Sequence, residues 1–199
     1  MGTSTILDII SSTVIYGILL LIVLRVNDSG ASNSFIYTFD LLVQENLVTV
    51  AGLVEHDFRL LGYCADPTKI PDPSKSIVSA DSTSIAFLTD VNDDGVVDTM
   101  KYYTGPVSEL ASTPNPNDRF LYRVVNNETP KGMSLGVTAF NLLYFNAQGD
   151  TIHFPILVTG EIYTMQITIT VENVAAYDTT YSTAFWRQVR LVSRNLNNR

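Results

Sequence analysis

The chain has 199 residues, 46% of them apolar and 16% charged, with a formal net charge of −8. That length suits one globular domain with chain to spare, and the apolar content excludes general disorder. The acidic pI near 4.6 excludes direct nucleic-acid binding, which needs a basic surface against phosphate. A single cysteine, Cys64, excludes an intramolecular disulfide or a multi-cysteine metal site.

The first predicted element is an apolar helix within residues 1–26. Residues 9–24 carry no charge, with Asp8 before them and Arg25 after them. A hydrocarbon core of about 30 Å needs roughly 20 mainly apolar residues as a helix, and residues 6–26 reach that length. A cleaved secretory signal would show a basic start and a small-residue cleavage site; no Lys or Arg precedes this core. A buried helix of a soluble domain is the other alternative, but a helix apolar all round suits lipid or a close-packed helical assembly better. The sequence therefore predicts a retained membrane or assembly helix. Its assembly residues are Asp8, Ile18, Leu19, Leu20, Leu21 and Arg25. A carboxylate beside such a span is costly unless it reaches the interface or meets a cation, so Asp8 sits at headgroup level or pairs with a charge on a neighbouring subunit.

Residues 27–33 (NDSGASN) are rich in turn formers and predict a break, weakest at Gly30. An amphipathic helix is expected over 34–62. Its stripe is Phe35, Phe39, Leu42, Val43, Leu47, Val50, Val54, Phe58 and Leu61, with Glu45, Glu55 and Asp57 facing water and Gly62 as the stop. Residues 64–80 hold three prolines and read as a surface loop. From there the period becomes two, and residues 63–199 are expected to form a β-rich globular head. Strands are expected at 85–88, 100–103, 120–125 (Phe120, Tyr122 and Val124 opposite Arg123), 140–145 and 185–192. The clearest alternation sets Tyr163, Met165, Ile167, Ile169 and Val171 against Thr164, Gln166, Thr168 and Thr170. The fold class is therefore α+β, with a long helix packed on antiparallel sheet.

The most specific chemical signal is the acidic run at 90–98. Asp90, Asn92, Asp94 and Asp98, with the Val96 carbonyl, place hard oxygens at alternating positions around Gly95, as a calcium loop requires. The twelfth position, where a closing Glu belongs, is Lys101, and D-D-G between apolar runs is itself a hairpin signal. Calcium and a bare turn are both open readings. Catalysis finds no motif: there is no nucleophile elbow, no H-E-x-x-H and no phosphate-cradling glycine loop. His56 and His153 are far apart in sequence. An enzyme would need a dispersed site, and none is expected. Near the C-terminus Arg187, Arg190, Arg194 and Arg199 oppose the acidic body, as a solvated edge or as a docking patch for a neighbouring subunit.

With these residues laid out, the chain resembles the type IV pilin-like superfamily, nearest to minor pilins of the PilW type and J-type pseudopilins of type II secretion. The resemblance rests on the apolar N-terminal helix and on the helix end carrying Asp57, Arg59, Gly62 and Tyr63 in the order D-x-R-x-x-G-Y. It continues through the strand–acidic loop–strand unit at 85–103, Phe120-Leu-Tyr122-Arg123, the stretch 136–145, and Val192-Ser-Arg194-Asn195-Leu196. It implies a shaft helix that first anchors in the bacterial inner membrane, with the head in the periplasm. That helix then packs with other pilin or pseudopilin subunits into a filament, delivered by an inner-membrane assembly platform. The N-terminus departs from the family pattern: Met1-Gly2 stands where a basic leader is usual, Thr3 follows, and Asp8 would be the sixth residue after cleavage, not the fifth. The alternative reading is a membrane-tethered calcium-dependent adhesin or binding module that does not polymerise.

Overall fold

The computed structural model describes residues 2–173 and 183–191. The chain divides into two compact units, Met1–Leu41 and Leu42–Arg199. One α-helix, α1 (Gly2–Arg59, 58 residues), supplies all of the first unit's described structure and opens the second. The expected break at 27–33 is therefore absent: Asn27, Asp28, Ser29, Gly30, Ala31, Ser32 and Asn33 are all helical. The reason is energetic. Asn, Asp and Ser each cost at most about 0.7 kcal/mol relative to Ala in a helix, and Gly about 1 kcal/mol. Without a proline, a helix already nucleated on both sides propagates through such a stretch.

The helix also ends earlier than expected, at Arg59 rather than at 62. Leu60 and Leu61 bond back to the carbonyls of Asp57 and Phe58, in the tighter three-residue pattern. Gly62 then takes φ +72°, and its N–H leaves the helix to donate to Leu88 O at 2.8 Å. A side chain there would be strained by that φ and would meet Ser76 Oγ at 3.0 Å.

Within the second unit the helix lays Val43, Val50, Val54 and Phe58 into the core, each at most 2% exposed. Phe58 packs edge-on to Phe87, ring centroids 5.3 Å apart, and tilts against Tyr102 at 5.6 Å. Facing it are two antiparallel sheets. The first is a five-stranded meander of β1 (Ile77–Ala80), β2 (Ser84–Thr89), β3 (Asp98–Thr104), β4 (Leu121–Val125) and β5 (Lys131–Met133). The second joins β6 (Val137–Phe145), β7 (Thr164–Glu172) and β8 (Thr183–Leu191) in order. The sheets meet through Leu142 N–H donating to Ser82 O, and Arg119 N–H to Val137 O. This is the α+β architecture expected from the pattern change near residue 80.

Three details correct that expectation. β1 lies inside the predicted surface loop, because Ile77 is 1% exposed and its strand completes the sheet edge beside β2. In β4 the inward side is Leu121 and Arg123, while Phe120 and Tyr122 lie outward, Tyr122 stacked on Tyr103 at 4.9 Å. In the strongest alternation Met165, Ile167, Ile169 and Val171 are buried as expected, but Tyr163 precedes the strand and is exposed, whereas Thr164 is buried.

Candidate functional site

The first candidate surface is the N-terminal part of α1. Between residues 6 and 26, fifteen large apolar side chains are 46–67% exposed, distributed around the whole circumference. None of the most apolar stretch is buried in the protein, and it is long and apolar enough to cross a membrane, a test that a signal sequence also passes. Two of its polar groups are satisfied within the helix: the Ser12 and Thr13 hydroxyls donate to Ile9 O at 2.9 and 2.8 Å. Asp8 and Arg25 are exposed, and no ion pair among the described residues includes either. Ile18, Leu19, Leu20 and Leu21 are exposed at its centre.

The second is the junction where α1 enters the sheets, built around Asp57. The sequence pattern predicts that residue to face water; it is 2% exposed. Tyr102 Oη donates to Asp57 Oδ2 at 2.5 Å, and Arg123 donates from Nε to Oδ2 at 2.6 Å and from Nη2 to Oδ1 at 3.4 Å. Tyr102 and Arg123 are paired across β3 and β4, so one carboxylate ties the helix to two strands. Arg123 is only 20% exposed, and hydrogen bonding to Asp57 raises its pKa above the usual arginine value. Burial, then the Asp57 charge, pushes the Tyr102 phenol up, so it remains a donor. A helical wheel holds the missed signal: 50, 54, 57, 58 and 61 share one face. Polarity alone argued for solvent; position argued for the core.

The acidic run at 90–98 is welded to this junction. Tyr63, just past the helix, accepts Asp90 N–H on its carbonyl at 2.8 Å and donates its hydroxyl to Asp93 Oδ1 at 2.6 Å. Asp90 is 1% exposed. Its Oδ2 accepts from Ala65 N–H (3.1 Å) and Gly95 N–H (2.8 Å), and its Oδ1 from Asp94 N–H (3.1 Å). Burial by itself pushes the Asp90 carboxyl up, but the amides of Ala65, Gly95, Asp94 and Asp93 outweigh it and hold its pKa below the usual range. Asp98 accepts from Val91 N–H and Asn126 Nδ2, and Asp94 from Val96 N–H and Asn92 Nδ2. The structure thus brings Asp90, Asn92, Asp94, Val96 and Asp98 together as one loop, with the three carboxylates turned to N–H donors. These bonds shape the run as a tight turn; a carboxylate oxygen that accepts one N–H keeps a second lone pair, so they do not decide between a bare turn and a calcium loop. Among the described residues no three His, Cys, Asp or Glu side chains group as metal ligands.

The other sequence candidates are dispersed. Cys64 is buried, its thiol 3.8 Å from Asp90 Oδ2. His56 is exposed beside Asp57, and His153 is exposed in the segment after β6. A groove of about 460 Å³ beside Ser74, Asn146, Glu161 and Tyr163 contains neither histidine. Arg187 is exposed on β8, while the Arg190 side chain, Arg194 and Arg199, like the 192–196 segment, lie outside the described residues. Compared with known proteins, the chain matches no family model, no curated protein and no solved structure.

Proposed function

We propose that the chain is a structural subunit that anchors in a membrane through residues 6–26 and then packs by the same helix against like helices in a filament, as minor pilins and pseudopilins do. The single observation that carries this reading is the fully exposed apolar circumference of residues 6–26. At about 1.5–3 kcal/mol per large apolar side chain moved out of water, that surface represents tens of kcal/mol awaiting lipid or a partner helix. The latch at Asp57 supports the same reading, since it couples the helix to two strands of the five-stranded sheet in its own unit. The head would face the periplasm, and the partners would be other subunits and an inner-membrane platform. Work of this kind is assembly, without turnover of a substrate.

The test is expression of the full chain followed by membrane fractionation, carbonate extraction and shearing of cells. Cysteines placed singly along residues 14–24 in a Cys64→Ser background should give oxidative cross-links between copies. Membrane retention with no cross-link and no sheared filament would establish the tethered binding module instead. Recovery in the soluble fraction as a monomer would overturn both.

A further inference from the structure

The basic side chains of the second unit divide by what they meet. Arg59, Lys75, Arg123 and Lys131 each stand beside a carboxylate, those of Glu55, Asp72, Asp57 and Glu128. Arg119 has no such partner among the described residues, although the chain carries 20 acidic residues against 12 Lys and Arg. Its backbone is fixed where the two sheets meet: Arg119 N–H donates to Val137 O at 2.9 Å, and beside it Gly105 N–H donates to Phe120 O at 2.8 Å. Arg119 is half-buried, and its guanidinium makes one hydrogen bond, from Nη1 to Gly105 O at 3.4 Å, longer than the usual range. The remaining N–H groups of the guanidinium have no protein acceptor among the described residues.

Arg119 and Gly105 both line a groove of about 400 Å³ between the end of β3 and the start of β6. Thr83, Thr104, Thr138 and Asn141 line it as well, and no Asp or Glu does. The side chains of those four residues have no hydrogen-bond partner among the described residues. Glu109, in the segment between β3 and β4, is taken up by the Tyr122 hydroxyl at 2.9 Å. A second groove, of about 320 Å³, shares Asn141 as a wall and is lined by Ser82, Gln166, Thr168 and Arg187, again with no carboxylate. Arg187 is exposed and has no ion partner among the described residues. The sheet register sets this placement: Asn141 pairs with Thr168 and Thr168 with Arg187, one row across β6, β7 and β8.

We propose that the two adjoining grooves bind a ligand carrying two carboxylates, one held by Arg119 and the other by Arg187. A guanidinium offers a planar fork of N–H groups that matches a carboxylate, and at Arg119 that fork is unfilled. Its half-burial makes such a pair stronger than one in open water. The threonine hydroxyls and the Asn141 amide add neutral donors beside it. One guanidinium in each groove balances one negative charge; a phosphate group, with about −1.5 to −2, would be left under-compensated on a chain of net charge −8. The same acidic surface repels anions elsewhere, so a cation-lined recess free of carboxylates is where an acidic ligand can settle. A free dicarboxylic acid and a peptide segment with two acidic side chains present this same chemistry. The site does not depend on the assembly reading.

The experiment uses the full chain in detergent at low salt, titrated by calorimetry with succinate, with a short oligoglutamate peptide and with inorganic phosphate. Saturable binding of a carboxylate probe is expected, weakened by added salt, with phosphate weaker still. Succinate binding without the peptide identifies the source as a free acid, and the reverse identifies a peptide segment; either supports the site. Arg119→Gln and Arg187→Gln should each weaken the bound probe at least about tenfold. Arg119→Lys, which keeps the charge and loses the fork, should recover only part of the affinity, and Arg59→Gln should change nothing. Circular dichroism checks that the variants fold; if Arg119→Gln does not, Arg187→Gln, at an exposed position, carries the same comparison. No saturable binding of either carboxylate probe at millimolar concentration would overturn the proposal. So would binding unchanged in both glutamine variants, or phosphate bound more tightly than the carboxylates.

Discussion

Residues 6–26 and residues 43–59 belong to one helix, yet they are stabilised in opposite ways. The first stretch exposes all its large apolar side chains and leaves Asp8 and Arg25 without ion partners among the described residues. The second buries Val43, Val50, Val54 and Phe58 completely and puts a carboxylate beside them. Hydrogen-bond geometry along the backbone is the same, so secondary structure does not separate them. What separates them is what each face meets: two sheets of the same chain in one case, and no buried contact among the described residues in the other. A charge is tolerated where its partners are fixed, as at Asp57, and is excluded from residues 9–24, where none is supplied.

The comparison breaks most sharply at the apolar stretch. Changing Ile18, Leu19, Leu20 and Leu21 to lysine should abolish membrane retention, because each charge at the centre of a membrane helix costs about 2.5–3.5 kcal/mol or more. Carbonate-resistant sedimentation reads the result, and continued membrane association would disprove the anchor. Circular dichroism and urea unfolding of the second unit should be unaltered, since these side chains are exposed among the described residues.

Next in size is the latch. Asp57→Ala leaves Arg123 and Tyr102 buried without their acceptor and should destabilise the second unit by about 3–5 kcal/mol, measured by urea unfolding. Membrane retention should survive it. The pair of results, retention lost with folding intact and folding weakened with retention intact, is the comparison in experimental form.

Acid should act on the second unit through Asp90. A carboxyl whose folded pKa lies below its unfolded value adds stability above that unfolded value, about 4, and loses it as pH falls through the lower folded one. The thermal midpoint should therefore drop below about pH 4, and Asp90→Asn should blunt the drop while lowering the midpoint at neutral pH. An unchanged acid profile in Asp90→Asn would show that the loop's amides do not depend on the charge.

The smallest effect lies between the two regions. A Cβ at Gly30 meets nothing within 4 Å, so Gly30→Ala should raise helix stability by about 1 kcal/mol without altering retention. Slower amide exchange across residues 27–33 is the readout. Unchanged, rapid exchange there would mean that the helix is interrupted after all.

Much of the fold was legible because burial follows periodicity. The alternation of Met165, Ile167, Ile169 and Val171 and the helical spacing of Val43, Val50, Val54 and Phe58 each announce a buried face before any coordinate is known. The misreadings came from treating residue type as destiny. Turn formers at 27–33 suggested a break, but their individual costs are too small to interrupt a helix propagating from both sides. Asp57 was sent to solvent by its charge, although its position on the wheel placed it with Val54 and Phe58. The run at 90–98 was legible as a tight acidic loop. Which way its carboxylates turn was not, because their donors include Ala65 and Asn126, remote in sequence.

The amino-acid order alone determined the apolar rod, the point where period 3.6 gives way to period two, and the acidic turn, since all three follow from neighbours within a few residues. Only the tertiary structure decided that Asp57 meets Tyr102 and Arg123, that Gly62 leaves the helix for Leu88, and that Asn115 meets Glu172. These contacts join residues 26 to 66 positions apart. Their partners are selected by how the sheets and helix pack, which no local pattern encodes.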